Sequence, residues 1–381
     1  MTPSIVVGDH AMWQGPPTEP NRKPDGGQGA SWTVALFVSG DNNLEKYWGE
    51  NSRLSLENLP ESSGMSVVAL MDWVEQNGTF LYEISGGVTT EVAAFDEMNF
   101  GDGATFQWFL TEMSTRYPSD RLAVIGWDHG YAWRYFSDDS TSGDRITMPE
   151  LQAAVEGAGV FIDVLAFDAC NMASIEVVYQ MSLTNQVGIL VGSEESIPLD
   201  GYPYDLMLTP LAEDPSRTPE QLAADMVSGW GEFYGPETWA KTNCLSATDV
   251  RSLGMQGAVL EDWCRAMHDR LDEYEWNYKS ALKASISAWA TCEHVDVGDL
   301  CVQLLADDGI TDEALRTATV SVADTIGSSV IAFWNAEEVA AFTGLTLYWG
   351  LAGDWTTYSD AYAEVAFAED TGWWLFLDEY N

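Results

Sequence analysis

The sequence predicts an α/β fold with a mostly parallel central sheet and a helical C-terminal subdomain. Two observations carry this. Several β-prone runs are apolar on successive residues, as expected of strands covered on both faces. Helix-like segments alternate with those runs from about residue 32 to 215, the signature of a layered α/β domain.

Residues 1–31 are rich in Pro, Gly and Asn ("GPPTEPNRKPDGGQG") and are expected to be a disordered arm. "WTVALFV", from Trp32, is the first strand and stops at Ser39-Gly-Asp-Asn-Asn43. "SVVALMDW" (66–73) is the second, and "FLYEI" (80–84) with "EVAAF" (91–95) predicts a hairpin across Ser85-Gly-Gly87. "RLAVIGW" (121–127), "FIDVLAF" (161–167) and "QVGILVGS" (186–193) are three more. Helices are expected at "GATFQWFLTEMSTRY", "TMPELQAAVEGA" and "ASIEVVYQMS". Residues 32–215 thus form the core, and 216–381 a helical subdomain packed on it. That subdomain opens with Thr218-Pro-Glu, a good helix start, and has one late strand, "GLTLYWG" (344–350).

The 381 residues carry 60 acidic and 16 basic side chains, a formal net charge of -44, and only five of the cations are Lys. Such a surface excludes nucleic acid as a partner, since phosphate binding needs clustered cations. It favours cationic ligands, or a solvent salty enough to screen the self-repulsion, and a high-salt environment is the expectation. No apolar run is long enough to span a membrane, and no basic leader precedes an apolar centre near Met1. Of five cysteines, Cys244, Cys264, Cys292 and Cys301 lie late and could form two disulfides or be buried thiols. They lack the short paired spacings of a zinc site. Cys170 stands alone.

Two strand ends carry chemistry. One run ends in Trp127-Asp-His-Gly130, the other in Phe167-Asp-Ala-Cys-Asn171. In doubly wound sheets ligands bind beyond the carboxyl ends of the strands. If these two strands are parallel neighbours, His129 and Cys170 emerge on one edge, 41 residues apart in sequence. Cys170 is placed just before the helix "MASIEVVYQM", whose positive end together with an imidazole would favour thiolate. Gly130 would let a substrate approach the backbone, and the N–H groups of Gly130 and Cys170 would hold an oxyanion. His129 would then protonate the leaving amine. A structural His and Cys, with no chemistry, is the competing reading.

"WDHG", then "AFDACNMASIE", then "VGSEESIPLDGYPYD" resembles the clostripain family of cysteine peptidases, which belongs with caspases, legumain and gingipain. "WTVALFVSGDNNLE" and "DDSTSGDRITMPEL" also resemble that family, and the likeness runs from Trp32 to Leu211, more weakly to "DTGWWLFLDEY". The resemblance implies a caspase-like α/β/α sandwich and a cysteine endopeptidase in which His129 and Cys170 are the catalytic dyad. Asp168 matches the acid that lines the pocket for a basic side chain, which implies cleavage after Arg, with Lys second. A carboxylate at the base of a slot can hold a guanidinium bidentately. Asp168 could instead cap the following helix. Ser193, Glu194, Asp200 and Asp205 are candidates for a second wall of the cleft, and Asp41-Asn-Asn43 for the same edge.

The resemblance also implies self-processing in the loop between the His and the Cys, "YFSDDSTSGDRITMPEL", whose one basic residue is Arg145, giving a monomer or a self-cleaved two-chain form. Substrates would be peptides or proteins with basic residues, and the family suggests an extracellular setting. No cofactor is required by Cys–His chemistry. Some relatives respond to calcium, and Asp138-Asp139 and Asp307-Asp308 could offer hard oxygen ligands, although no EF-hand loop occurs. The alternatives are a catalytically silent peptide-binding or scaffold protein of the same fold, and a metal hydrolase using Asp128 and His129, whose other His residues lack ligand spacing.

Overall fold

The computed structural model describes residues 6–7, 30–74, 78–288 and 293–381. Ten strands make one sheet: β1 (Val6–Val7), β2 (Ala30–Gly40), β3 (Met65–Trp73), β4 (Gly78–Ser85), β5 (Val88–Phe95), β6 (Ser119–Trp127), β9 (Ile162–Asp168), β10 (Val187–Gly192), β11 (Cys244–Asp249) and β13 (Val330–Asn335). Between them, β7 (Phe136–Asp139) pairs with β8 (Asp144–Ile146), and β12 (His294–Asp296) with β14 (Thr346–Tyr348), in two small sheets. The large sheet runs β1-β13-β11-β10-β9-β6-β2-β3-β4-β5. Its five central strands, β10, β9, β6, β2 and β3, are parallel. Antiparallel strands flank them on both sides.

Helices cover both faces, and the pleat divides the strand side chains between two cores. Ala35 and Phe37 of β2 face the core beneath helices Gly103–Arg116, Met148–Ala158 and Ile175–Leu183, while Val34, Leu36 and Val38 face the core beneath Tyr204–Glu213 and Pro219–Tyr234. Burial on both sides is why these strands read as unbroken apolar runs. Gly126 in β6 is a packing requirement: a Cβ there would lie 2.4 Å from the Phe136 ring. The helix expected at Thr218 begins there with a capping box, Gln221 N–H donating to Thr218 Oγ1 and Thr218 N–H to Gln221 Oε1.

The C-terminal reading needs correction. Beyond residue 216 the chain supplies β11 and β13 to the large sheet, so this part is not a purely helical layer. "CLSATD" mixes polar and small residues, and "VIAFWN" follows a helix without a turn signal; neither has the apolar continuity that marks the central strands. The late strand spans only Thr346–Tyr348 and pairs with β12, apart from the large sheet. The disordered arm expected at 1–31 falls mostly outside the described residues; Val6–Val7 pairs with β13, and β2 begins at Ala30. Cys170, Cys244, Cys264 and Cys301 are free, the last three buried, and Cys292 lies outside the described residues. No helix among the described residues is long and apolar enough to cross a membrane.

Candidate active site

β6 and β9 are parallel neighbours in register Trp127↔Asp168, and the Asp128 N–H continues the ladder to the Asp168 carbonyl at 3.3 Å. His129 and Cys170 each lie two residues past that pair, so they leave the sheet at the same rim. Gly130 locks the two ends together. A Cβ on it would sit 2.7 Å from the Cys170 carbonyl oxygen and 3.0 Å from the Ala169 Cβ. The glycine is therefore demanded by close approach to the cysteine's own backbone. Bonds Tyr131 N–H to Tyr135 O and Ser137 N–H to His129 O bracket Gly130 and do not use its N–H.

Backbone strain gathers here. Ala132 (φ 47°), Ser137 (φ 64°) and Asn171 (φ 59°) are three of the four non-glycine residues at positive φ among the described residues. Such conformations persist where the surroundings over-determine them. Asn171 is held by its N–H to the Glu195 carbonyl at 3.1 Å and by its Nδ2 to the Glu194 carbonyl at 2.8 Å, and Ala173 N–H binds the Ser193 carbonyl at 3.0 Å. The turn after Cys170 is thus zipped to the loop after β10.

His129 is half-buried, with Nε2 3.0 Å from Asn43 Oδ1. An amide oxygen only accepts, so the Nε2 proton sits in this bond and Nδ1 keeps its lone pair. Burial lowers the His129 pKa; Asp138 opposes this and Arg145 adds to it. Burial raises the Cys170 thiol, against hydrogen bonds from the Ile197 backbone and the Ser196 side chain; Asp168 and Glu195 add to the rise. Burial thus favours the uncharged form of each group. The expected helix effect on the sulfur is absent, because that helix starts at Ile175, and its cap, Ser174 Oγ, accepts from Val177 N–H. Cys170 is four residues too early.

Asp128 turns away from the cleft. Its Oδ1 accepts from Asn42 Nδ2 at 2.7 Å and its Oδ2 from the Asp138 N–H, so it anchors the β2 turn to the β7 strand. Burial pushes its pKa well above the usual range.

Asp168 does not cap a helix. Its Oδ2 accepts from the Tyr202 N–H at 3.0 Å and from the Tyr204 hydroxyl at 2.8 Å, and burial raises its pKa to about 7. Gly201 (φ +68°) lies over it; a Cβ there would meet Asp168 Oδ2 at 3.0 Å and Ser52 Oγ at 3.3 Å. Tyr234 fixes Gly201 from below, its hydroxyl donating to the Gly201 carbonyl at 2.8 Å.

Of the residues expected to line a second wall, two are core groups. Ser193 is fully buried, its Oγ 3.4 Å from Cys244 Sγ and accepting from Glu195 N–H. Glu194 is buried beside Asp296, which keeps its carboxyl high after burial itself, and its Oε1 accepts from the Gly344 N–H at 2.8 Å. Both sit where the chain passes inward after β10, which residue type alone does not reveal. Asp200 is exposed next to Gly201 and accepts from Asn51 Nδ2 at 3.3 Å. The Asp205 carboxylate accepts from Ser55 Oγ at 2.9 Å, joining helix Tyr204–Glu213 to Arg53–Glu57. Sequence reasoning missed Ser196, Ile197, Tyr202 and Tyr204 as neighbours of Cys170 and Asp168. Tyr204 in "GYPYD" was a legible signal, since its hydroxyl donates to the buried acid, whereas the Tyr202 hydroxyl donates to the Phe167 carbonyl.

Arg145 is not in a loose loop. It lies in β8, with Nε bonded to Asp138 Oδ1 and its guanidinium 4.4 Å from the centre of the Tyr135 ring.

Of the acids expected to offer metal ligands, three are otherwise engaged: Asp138 holds Arg145, Asp139 accepts from Phe100 and Ser142 N–H, and Asp307 from Asn277 Nδ2 and Gly309 N–H, while Asp308 is exposed. The group among the described residues with carboxylate oxygens close enough to share an ion is Asp41, Asp72 and Glu97. A cavity at the opposite ends of the strands, between Tyr117 and Asp163, is lined by no cysteine or histidine.

No curated protein matches this sequence. Among solved structures, the chain is similar to a secreted C11 cysteine protease from Bacteroides thetaiotaomicron in complex with an irreversible peptide inhibitor, at TM-score 0.71 and 19% identity, covering 90% of this chain and 99% of that one. It is also similar to an inactive zymogen C11 protease from Parabacteroides distasonis, at TM-score 0.69 and 17% identity, covering 90% and 98%. These likenesses establish the fold, a caspase-like α/β/α sandwich. The profile of the clostripain family matches residues 36–379, and the chain belongs to this C11 family of cysteine peptidases.

Proposed function

We propose that this protein is an endopeptidase that cleaves after Arg, with Lys second, using Cys170 as nucleophile and His129 as acid and base. The observation that carries the reading is the equal register of the two residues past adjacent parallel strands, with Gly130 packed on Cys170.

The chemistry follows from neutral partners. As Cys170 Sγ attacks the scissile carbonyl, its proton passes to His129 Nδ1, the nitrogen that Asn43 leaves open. The carbonyl oxygen becomes an oxyanion, for which the N–H groups of Gly130 and Cys170 are the donors. Collapse breaks the C–N bond, the imidazolium gives its proton to the amine, and a thioester remains. Water, deprotonated by the same imidazole, then releases the acid and restores the thiol. Burial favours the uncharged form of both groups, so in this reading proton transfer accompanies attack.

Specificity rests on Asp168. Its carboxyl, raised to about 7 by burial, would be held ionised by an incoming guanidinium, which repays the cost of burying a charge. A relative that takes an irreversible peptide inhibitor supports a peptide cleft, and a relative solved as an inactive zymogen supports activation by processing. Here cleavage after Arg145 would give pieces of about 145 and 236 residues, and β8 must first unpair from β7. The net charge of -44 would draw basic peptides at low salt, an attraction that fades as salt rises, and suits a high-salt, extracellular setting.

The test is labelling with an arginyl chloromethylketone, together with a panel of fluorogenic peptides differing only at the residue before the cut. Modification of Cys170 and turnover confined to Arg and Lys peptides support the reading. An unmodified Cys170 and no turnover would return the chain to the silent peptide-binding alternative.

A further inference from the structure

Glu194 and Asp296 are acids that the proposed chemistry leaves unused, yet one of them holds the turn that carries Cys170. Both are buried, at 1% and 0% exposure. The Glu194 carbonyl accepts from Asn171 Nδ2 at 2.8 Å, and the Glu195 carbonyl from the Asn171 N–H at 3.1 Å. Asn171 stands at φ 59° immediately after Cys170, so the place of the sulfur follows from where residues 193–195 lie. The Glu194 side chain reaches the other way. Its Oε1 accepts from the Gly344 N–H at 2.8 Å, and its carboxyl is hydrogen-bonded to that of Asp296.

Ionised carboxylates only accept, so a bond between two of them needs a proton. The donors around each acid decide which one holds it. Asp296 accepts from the Asp299 N–H and the Thr343 N–H, each at 2.7 Å, and from the Thr343 hydroxyl at 2.9 Å. It is also the N-cap of helix Val297–Ala306, where negative charge is favoured. Glu194 Oε2 has no N–H or hydroxyl donor. Asp296 is therefore the carboxylate and Glu194 the acid, its Oε2 proton directed at Asp296. Burial, the largest cause for each, raises Asp296 to about 6 and Glu194 well above the usual range. The titratable groups around the pair do not relieve it. Glu195, Cys244 and Cys301 oppose a second negative charge, Asp299 spends its carboxylate on the Ile286 N–H and Gln303 Nε2, and burial lowers His294 to about 3.

We propose that Glu194 is a positioning residue for Cys170, holding the turn after it through a proton shared with Asp296. This rests on the reading of Cys170 as nucleophile. The link is a continuous chain of bonds, from Asp296 to the Glu194 side chain, then through the Glu194 carbonyl to Asn171 and so to Cys170. Loss of the proton sets two charges against each other in the interior, where they are poorly screened. Residues 193–195 then move off Asp296 and take Asn171 with them. Glu194 touches no substrate and acts only through that turn. A carboxyl raised in the fold adds stability that is complete below its unfolded value, about 4.3, and is lost as pH rises through the folded one.

The experiment has two arms, both on the full chain. In Cys170→Ala, whose result is independent of peptidase activity, Tm is followed across pH at fixed ionic strength with and without Glu194→Gln. The amide keeps the geometry, Nε2 donating to Asp296 and Oε1 accepting from Gly344, and does not titrate. The parent is expected to lose Tm toward alkaline pH more steeply than the Gln variant; the other buried acids titrate alike in both, so the difference belongs to Glu194. In the active chain, Glu194→Leu should lower kcat on an arginyl peptide about tenfold with KM little changed. Glu194→Gln should rescue that loss and carry kcat to higher pH than the parent. Should the Leu variant not fold, the kcat–pH profile of Glu194→Gln against the parent decides alone. Parallel Tm curves, or an alkaline limb of kcat that Glu194→Gln leaves in place, would overturn the proposal. A parent chain that turns over no peptide sinks the peptidase reading instead, and the shared proton then stands or falls on the Tm arm.

Discussion

His129 Nε2 meets Asn43 Oδ1 at 3.0 Å, across the junction of β6 and β2. With the amide oxygen as acceptor, the contact puts the proton of a neutral imidazole on Nε2. Asn43 is itself the last of a turn whose preceding residue, Asn42, is bonded to Asp128 and to the Asp138 carbonyl. The histidine is therefore oriented by the turn after a strand that does not carry Cys170.

Asn43→Ala should lower kcat about tenfold with little change in KM, as expected when a positioned base is left free to rotate. His129→Ala should cost a further factor, on the order of a hundredfold or more. Steady-state kinetics on an arginyl peptide separate the two; a KM effect alone in Asn43→Ala would mean that it binds substrate and does not position the imidazole.

Cys170 should behave as a half-buried thiol, not as a standing thiolate. Its alkylation rate by iodoacetamide, taken as the difference from Cys170→Ala, is expected to climb with pH through and beyond 9. A plateau below neutral pH would indicate a preformed thiolate–imidazolium pair and contradict the electrostatics of the site.

Asp168 predicts two pH effects of opposite sign. KM for an arginyl substrate should fall as pH rises through about 7, because only the ionised carboxyl holds a guanidinium. Stability runs the other way. A folded pKa raised above the unfolded value contributes stability that is complete below about pH 4 and is lost as pH rises through 7. Asp168→Asn should remove this slope from Tm measurements and lower kcat/KM for Arg peptides by about a hundredfold or more.

Gly130→Ala should destabilise the fold by about 1–3 kcal/mol, the usual cost of overpacking, and reduce activity more than the stability loss accounts for. Its Cβ would collide with the Cys170 carbonyl at 2.7 Å and push the two strand ends apart. Denaturant unfolding and activity at low temperature distinguish the two effects.

Much of the central fold was legible because β2, β3, β6, β9 and β10 are covered on both sides and carry their burial in the sequence as continuous apolar runs. The pairing of His129 with Cys170 at one rim followed from the same runs, once parallel order was assumed. β11 and β13 were not legible, since "CLSATD" and "VIAFWN" owe their place to neighbours far along the chain. Ser193 and Glu194 look like any polar loop residues; only the fold reveals that they point into Cys244 and Gly344. Asp41 and Asp72 are separated by short helices and most of β3, and Asp72 and Glu97 by the β4–β5 hairpin, so no spacing rule could have gathered them.

The zipper between the turn after Cys170 and the loop after β10 has a reach beyond the cleft. That loop leans through Glu194 on Gly344, the Thr346 N–H binds the Ala173 carbonyl, and the Tyr348 N–H binds Glu176. Cys170 is thus buttressed by residues more than 170 positions downstream. A fragment ending near 215 would retain each member of the proposed dyad and its specificity acid, yet forfeit the scaffolding that sets their mutual geometry, so the reactive half is not a transplantable module.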